Sequence, residues 1–330
     1  MLDTRALLSK YFEILEEKTD TKFRICKHVP VEFDKKESSE DLWKKHDAIL
    51  KKMKLSDVLL DQSLLDLKIE LAKRIFEKCC FCERRCYVDR NKEAGNCGVK
   101  QSGISSEFLH LGEESVLVPS HTIFFSGCTF HCVFCQNWDI SQQNTGFYVK
   151  PSKIVEIIKT RNKQGSRNVN WVGGDPTPNL PYILQVLKQL NENIPQVWNS
   201  NMYCSTETMK LLDGVIDLYL TDFKFGNDAC AKHFSKVDNY FETVGRNHLK
   251  AYQNGELIIR HLVMPNHLDC CSKPIADWIA KNTPGAVINI MGQYRPEYHA
   301  DEYKDISRKI YVEEVLQIKG YAEQLGIYQI

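Results

Sequence analysis

From about residue 119 onward the chain alternates short β-branched or apolar runs with longer helical patterns, and this alternation restricts its fold more than any other feature. The runs are HTIFFSG (121–127), NVNWVGG (168–174), PQVWNSN (195–201), VIDLYLTDFK (215–224), ELIIRHLVM (256–264) and AVINIMGQY (286–294). Helical stretches lie near 151–164, 179–193, 205–213, 228–252 and 271–282, with a last one near 302–325. Repeated strand and helix units build a parallel sheet with right-handed crossovers. Six such units predict an α/β fold of the partial (β/α)6 TIM-type barrel kind, short of the eight that close a barrel. An open doubly wound sheet is the alternative that the pattern leaves. Both architectures put chemistry at the C-terminal ends of the strands.

Ahead of this region the texture changes twice. Residues 1–78 read as a polar helical extension, in which Leu59, Leu60, Leu64, Leu67, Leu71 and Ile75 recur at spacings that share one helix face. Such a face packs on a larger body or fills a partner's groove. Residues 79–118 form a short, turn-rich, cysteine-dense segment, too small for a core of its own and of the kind that metal ligation stabilises. The expected organisation is thus a helical N-terminal extension (1–78), a cysteine-rich segment (79–118) and the barrel (119–330).

Lys plus Arg and Asp plus Glu each total 43, so the formal net charge is zero and no general attraction to nucleic acid or an anionic membrane is built in. The N-terminus, MLDTRALLSKYFEILEEKTD, has no secretory pattern, and no stretch of about 18 apolar residues occurs. A cytoplasmic location is expected. There, thirteen cysteines favour metal or cluster ligation over a disulfide framework.

The loop after the first strand, SGCTFHCVFCQNW (126–138), spaces Cys128, Cys132 and Cys135 as C-x3-C-x2-C. Three thiolates leave one iron of a [4Fe-4S] cluster without a cysteine and open to another donor. The other reading is a zinc site completed by His131 or His121, although zinc ligands usually come as close pairs across a long gap. A second group, Cys79, Cys82, Cys86 and Cys97, reads C-x2-C-x3-C-x10-C. Four thiolates saturate an auxiliary iron-sulfur cluster or a zinc ion; a reduced, thiol-rich fold element is the third reading. Cys26, Cys204, Cys230, Cys270 and Cys271 share no spacing and read as free thiols.

Other strand ends carry polar groups. VGGDPTPNLP (172–181) has paired glycines, Gly173 and Gly174, that let the backbone approach a ligand with no Cβ between, followed by Asp175. WNSNMY offers Asn199, Ser200 and Asn201 as neutral donors and acceptors, and TDFKFG puts Asp222 and Lys224 on one strand face. Arg260, Gln293 and Tyr294 project toward the barrel mouth; an arginine among apolar neighbours needs an anionic partner, a ligand or Asp222. His261, His267 and His299 read as ordinary polar residues.

At the cysteine loop the sequence resembles the radical S-adenosylmethionine (radical SAM) superfamily, with Phe134 as the aromatic residue before the last cysteine. The resemblance implies that the open iron chelates SAM, and that one electron cleaves it to methionine and a 5′-deoxyadenosyl radical that abstracts hydrogen from a substrate. Gly173, Gly174 and Asp175 resemble the Gly-Gly-Glu-Pro motif that receives the SAM amino group, with Asp in place of Glu. Asp222 and Lys224 resemble the Asp-x-Lys element of the glycyl-radical-enzyme activases. Gln293 stands where those activases have a histidine. Over roughly residues 79–325 the chain is similar to the PflX-like group related to pyruvate formate-lyase activating enzyme. That likeness implies a flavodoxin or ferredoxin-type electron donor and a protein glycine, another peptide or a metabolite as substrate. The alternative is a non-catalytic iron-sulfur or zinc scaffold or sensor that has lost SAM binding.

Overall fold

The protein is described from a computed structural model covering residues 4–51 and 62–330. One sheet of eight strands organises it: β1 (Ile104–His110), β2 (Ser120–Phe125), β3 (Asn168–Gly173), β4 (Gln196–Ser200), β5 (Leu218–Asp222), β6 (Glu256–Leu262), β7 (Val287–Met291) and β8 (Tyr328–Gln329). The strands lie side by side in chain order; β1 is antiparallel to β2 and every later neighbour is parallel. β1 and β8 are the two free edges, so the sheet curls into an open, partial barrel. The six expected strands are β2 to β7, and the partial barrel holds over the doubly wound alternative.

Helices cover the outside. The N-terminal extension gives α1 (Thr4–Leu7), α2 (Ser9–Leu15), α3 (Lys22–Lys27), α4 (Ser39–Leu50) and α5 (Leu64–Glu77). Crossovers follow as α6 (Trp138–Gln142), α7 (Pro151–Lys163), α8 (Leu180–Gln189), α9 (Thr206–Leu212), α10 (Asp228–Ser235), α11 (Tyr240–Asn254), α12 (Lys273–Asn282) and α13 (Val312–Gln324). The single helix expected over 228–252 is two, because Lys236 and Asn239 adopt left-handed backbone conformations (φ 56° and 47°) that turn the chain between α10 and α11. The last expected helix shortens to α13. None of the described helices is long and apolar enough to cross a membrane.

β1 escaped the sequence reading because it is an edge. Its Ser105, Ser106 and Glu107 break the apolar run, whereas strands buried on both faces, such as β4, read as continuous apolar segments. β1 rises from within residues 79–118 and pairs along the whole of β2.

The extension packs on the barrel. Leu64, Leu67, Leu71 and Ile75 of α5 are buried against α8, each contributing about 2 kcal/mol of apolar burial. Leu59 and Leu60, expected on the same face, lie outside the described residues. Leu8 and Tyr11 close the floor of the barrel against Val197, Leu218, Leu220, Ile258 and Val287. The Tyr11 hydroxyl accepts a hydrogen bond from Asn168 Nδ2 at 2.9 Å, and its N–H donates to Glu256 at the start of β6 at 2.8 Å.

Strand period two and register then fix the layer above. Leu220 pairs with Ile258 on the apolar floor; two residues on, Asp222 pairs with Arg260, and Arg260 with Asn289. The barrel is apolar at its floor and charged toward its mouth.

Candidate functional site

The chain leaves β2 through Ser126 and Gly127 and enters the cysteine loop at the C-terminal end of the sheet. Cys128 and Cys132 are buried and Cys135 half-buried. Each thiol has its own hydroxyl or carbonyl neighbour. Cys128 Sγ lies 3.3 Å from the Gly174 carbonyl, Cys132 Sγ 2.9 Å from Ser235 Oγ, and Cys135 Sγ 3.1 Å from Ser141 Oγ. The loop backbone is pinned by α10: His131 N–H donates to the Ser235 carbonyl (3.1 Å) and Val133 N–H to that of Phe234 (2.9 Å). Burial, reinforced by the neighbouring thiols, pushes Cys132 up to about 12 and Cys128 well above the ordinary thiol range. Neither ionises near neutrality until a cation is bound.

His131 hydrogen-bonds through both ring nitrogens, to Gln142 and Asn96 (2.8 Å each), and His121 Nε2 contacts Glu107 at 2.9 Å. The two histidines of the zinc reading are therefore engaged away from the thiols. Tetrahedral zinc holds its sulfurs about 3.8 Å apart. Neither Cys128, Cys132 and Cys135 nor any three of Cys79, Cys82, Cys86 and Cys97 gather within 4.8 Å of one another.

Gly173 has φ 133°, and a Cβ there would collide with the main chain of Phe125; a Cβ on Gly174 would strike the Gly127 carbonyl. The space the glycines leave is occupied by the chain entering the cysteine loop. Gly174 N–H donates to Phe125 O (2.9 Å) and Asp175 N–H to Gly127 O (3.0 Å). Gly173→Ala is expected to destabilise the protein by more than about 1 kcal/mol, read as a lowered melting temperature, because both the dihedral and the space exclude a side chain.

Asp175 is fully enclosed. Its carboxylate accepts from Thr177 N–H (2.9 Å), Ser200 Oγ (2.9 Å) and Asn201 N–H (3.0 Å), tying the end of β3 to that of β4. Burial raises its pKa while these hydrogen bonds oppose the rise. Phe134 packs edge-on to Phe225 and tilted on Tyr294, whose hydroxyl donates to the Ile306 carbonyl at 2.6 Å; Gln293 is exposed.

Asp222, Lys224 and Arg260 meet at the mouth. Lys224 Nζ is 2.6 Å from Asp222 Oδ2, Arg260 Nε is 2.9 Å from Asp222 Oδ1, and Arg260 also bonds Asn199. Two partners were not legible in the sequence. The turn after β1 inserts Glu113, 3.5 Å from Arg260, and Glu114, which accepts from Asn289 at 2.9 Å. Around this polar layer Asn199 Nδ2, both amide atoms of Asn170 and Glu114 Oε2 are buried without protein partners, leaving hydrogen-bonding capacity for a polar ligand.

Burial, against the pull of Arg260, pushes Glu113 up to about 7 from an ordinary 4.5. A folded-state pKa above the unfolded one favours the fold at low pH and loses that contribution as pH rises through about 7. Glu113→Gln is expected to gain stability relative to wild type between about pH 5 and pH 8, measured by thermal unfolding at both.

In the second cysteine group Cys79, Cys82 and Cys97 are buried and Cys86 is half-buried beside Asn96 N–H (3.4 Å). The backbone at Cys82 pairs antiparallel with that at Cys204 just beyond β4, both thiols remaining free, and the buried Arg90 donates to the carbonyls of Val99 (2.8 Å) and Pro178 (2.7 Å). The segment is thus fastened to the turn that follows Asp175. Cys230, Cys270 and Cys271, read as free thiols, form no disulfide, but the fold gathers them with His267: their donor atoms all lie within 4.8 Å of one another.

The radical SAM superfamily profile matches residues 122–279, from β2 into α12. A Methanocaldococcus jannaschii relative, the uncharacterized protein MJ0674, is 51% identical over 333 residues, covering 97% of this chain and 98% of its own. The chain belongs to the radical SAM superfamily. Solved structures with some likeness include methylornithine synthase (16% identity, TM-score 0.46, 95% of this chain and 77% of that one). A domain of pyruvate-formate lyase-activating enzyme from Bacteroides vulgatus (18%, 0.40, 49% and 97%) is another. A third is Streptococcus suis SuiB bound to S-adenosylmethionine (13%, 0.47, 62% and 47%), of whose length the chain spans about half. The cofactors of a radical SAM enzyme are a [4Fe-4S] cluster and SAM. Two buried thiols and a half-buried third, too widely set for one ion, beside a polar layer with unpartnered amides, fit that pair.

Proposed function

We propose that Cys128, Cys132 and Cys135 hold the [4Fe-4S] cluster, and that SAM lies between it and the layer of Asp222, Lys224 and Arg260. The observation that carries this reading is the convergence of two buried thiols and the half-buried Cys135 with that charged layer at one mouth of the barrel. When bound, the cluster and SAM supply a one-electron reductive cleavage whose carbon radical abstracts hydrogen from the substrate.

The chain's own groups bind and orient. Lys224 and Arg260 offer positive charge to the SAM carboxylate, and Asp222 fixes both. Gly173 and Gly174 bring the main chain against the cysteine loop, and Asp175 with Ser200 sets the height of the β4 end. Phe134 walls the loop from water. The second group, Cys79, Cys82, Cys86 and Cys97, holds an auxiliary cluster; its thiols are not gathered as single-ion ligands are.

Within the superfamily, the PflX-like motifs favour hydrogen abstraction from a protein glycine, ahead of another peptide or a metabolite. Reduction comes from a flavodoxin or ferredoxin-type donor. The test is anaerobic incubation of the reconstituted, dithionite-reduced protein with SAM. Equal amounts of methionine and 5′-deoxyadenosine are expected; intact SAM in cluster-loaded protein refutes the reading. Adding a glycyl-radical enzyme from the same cell distinguishes the substrates, since an activase generates a protein radical on it.

A further inference from the structure

At the same end of the barrel, beyond the cysteine loop, three thiols and an imidazole converge from two separate elements. Cys230 comes from the first turn of α10. His267, Cys270 and Cys271 come from the segment after β6, where a π-helical turn spans Leu268–Ser272. Such wide turns are rare and often mark functional positions.

The spacing is that of a single coordination sphere. His267 Nδ1 lies 3.2 Å from Cys270 Sγ and 3.7 Å from Cys230 Sγ, and Cys270 Sγ lies 3.9 Å from Cys271 Sγ. The edges of a zinc tetrahedron with Zn–S near 2.3 Å are about 3.8 Å, somewhat shorter where one ligand is nitrogen. This contrasts with both other cysteine groups, which are set wider.

The surroundings are shaped to the cluster. Gly226 lies where a Cβ would come 2.7 Å from Cys270 O and from Cys271 Cα, so the π-helical turn reaches α10 only across a glycine. Asn227 Nδ2 donates to the Cys270 carbonyl (2.8 Å) and lies 3.4 Å from Cys230 Sγ and 3.9 Å from Cys271 Sγ, an outer donor to the sulfurs. His267 is buried and its ring meets Phe234 edge-on at 5.0 Å, which fixes its orientation.

We propose that Cys230, His267, Cys270 and Cys271 form a closed four-ligand site for one zinc ion. Three thiolates and one imidazole suit zinc, and four protein ligands make the site structural. The thiols release their protons to solvent as the ion binds. The ion ties α10 to the segment after β6. The same helix ends at Phe234 and Ser235, which pin the backbone of the Cys128–Cys135 loop and contact Cys132. Zinc thereby holds the wall of the cluster pocket without entering its chemistry.

The experiment uses anaerobically purified, cluster-loaded protein. Zinc, iron and sulfide are counted in wild type and in a Cys230→Ser/Cys271→Ser double variant. About one zinc per chain is expected in wild type and none in the variant. A second readout needs no variant: Cys270 is exposed, so a free thiol there alkylates at once in native protein. Protection of Cys270 from iodoacetamide, lost on adding a zinc chelator, is the expected result. Wild type without zinc, zinc retained in the double variant, immediate labelling of Cys270, or a disulfide among the three cysteines each overturns the proposal. Because zinc and iron are read separately, its failure leaves the radical SAM reading untouched.

Discussion

Cys132→Ala protein, reconstituted under the same conditions as wild type, is expected to lack about four irons per chain and to leave SAM intact. The effect is large because the loop has no substitute ligand: His131 is bonded through both ring nitrogens, and Ser235 Oγ, the group nearest Cys132, is a poor ligand for iron beside thiolate. Iron and sulfide analysis with chromatography of the SAM products measures both. Any iron that remains reports the Cys79, Cys82, Cys86 and Cys97 group, so the same sample tests the auxiliary cluster.

Asp222→Asn is expected to lower the melting temperature by about 4 °C and to weaken SAM binding. Lys224 and Arg260 are only 19% and 15% exposed, and both lean on this carboxylate. Removing it leaves two confined cations, a loss of about 3 kcal/mol. Burial alone would raise the pKa of Asp222, but Arg260 and Lys224 overcome it and hold the carboxyl below its ordinary value. Its contribution to stability is therefore present above the unfolded-state pKa and is lost as pH falls through the folded one. A scanning-calorimetry comparison of the two proteins shows the drop. An unchanged melting temperature would mean that water, and not Asp222, compensates the two cations.

What the sequence disclosed follows from which interactions are local. Strands β2 to β7 were legible because parallel strands buried on both faces are continuous apolar runs. β1 was hidden because Ser105, Ser106 and Glu107 interrupt its apolar run at an antiparallel edge. The break between α10 and α11 carries neither Gly nor Pro; Lys236 and Asn239 turn the chain through left-handed conformations that composition does not announce. The C-x3-C-x2-C loop was legible because its ligands sit in one turn. Cys230 and the 267–271 segment were not, since no spacing rule links residues on different elements; they meet because β5 and β6 are parallel neighbours and the connections that follow them lie side by side. Glu113 and Glu114 escaped for the same reason: they enter the barrel from the β1–β2 turn, far in sequence from Arg260 and Asn289.

The measurement that tests the central claim most directly is electron paramagnetic resonance of the anaerobically reconstituted, dithionite-reduced protein, recorded with and without SAM. Cluster ligation by Cys128, Cys132 and Cys135 predicts a [4Fe-4S]+ signal whose g-values move when SAM is added, with the shifting component absent from Cys132→Ala. A signal indifferent to SAM, or a shifting signal that survives loss of Cys132, would contradict it.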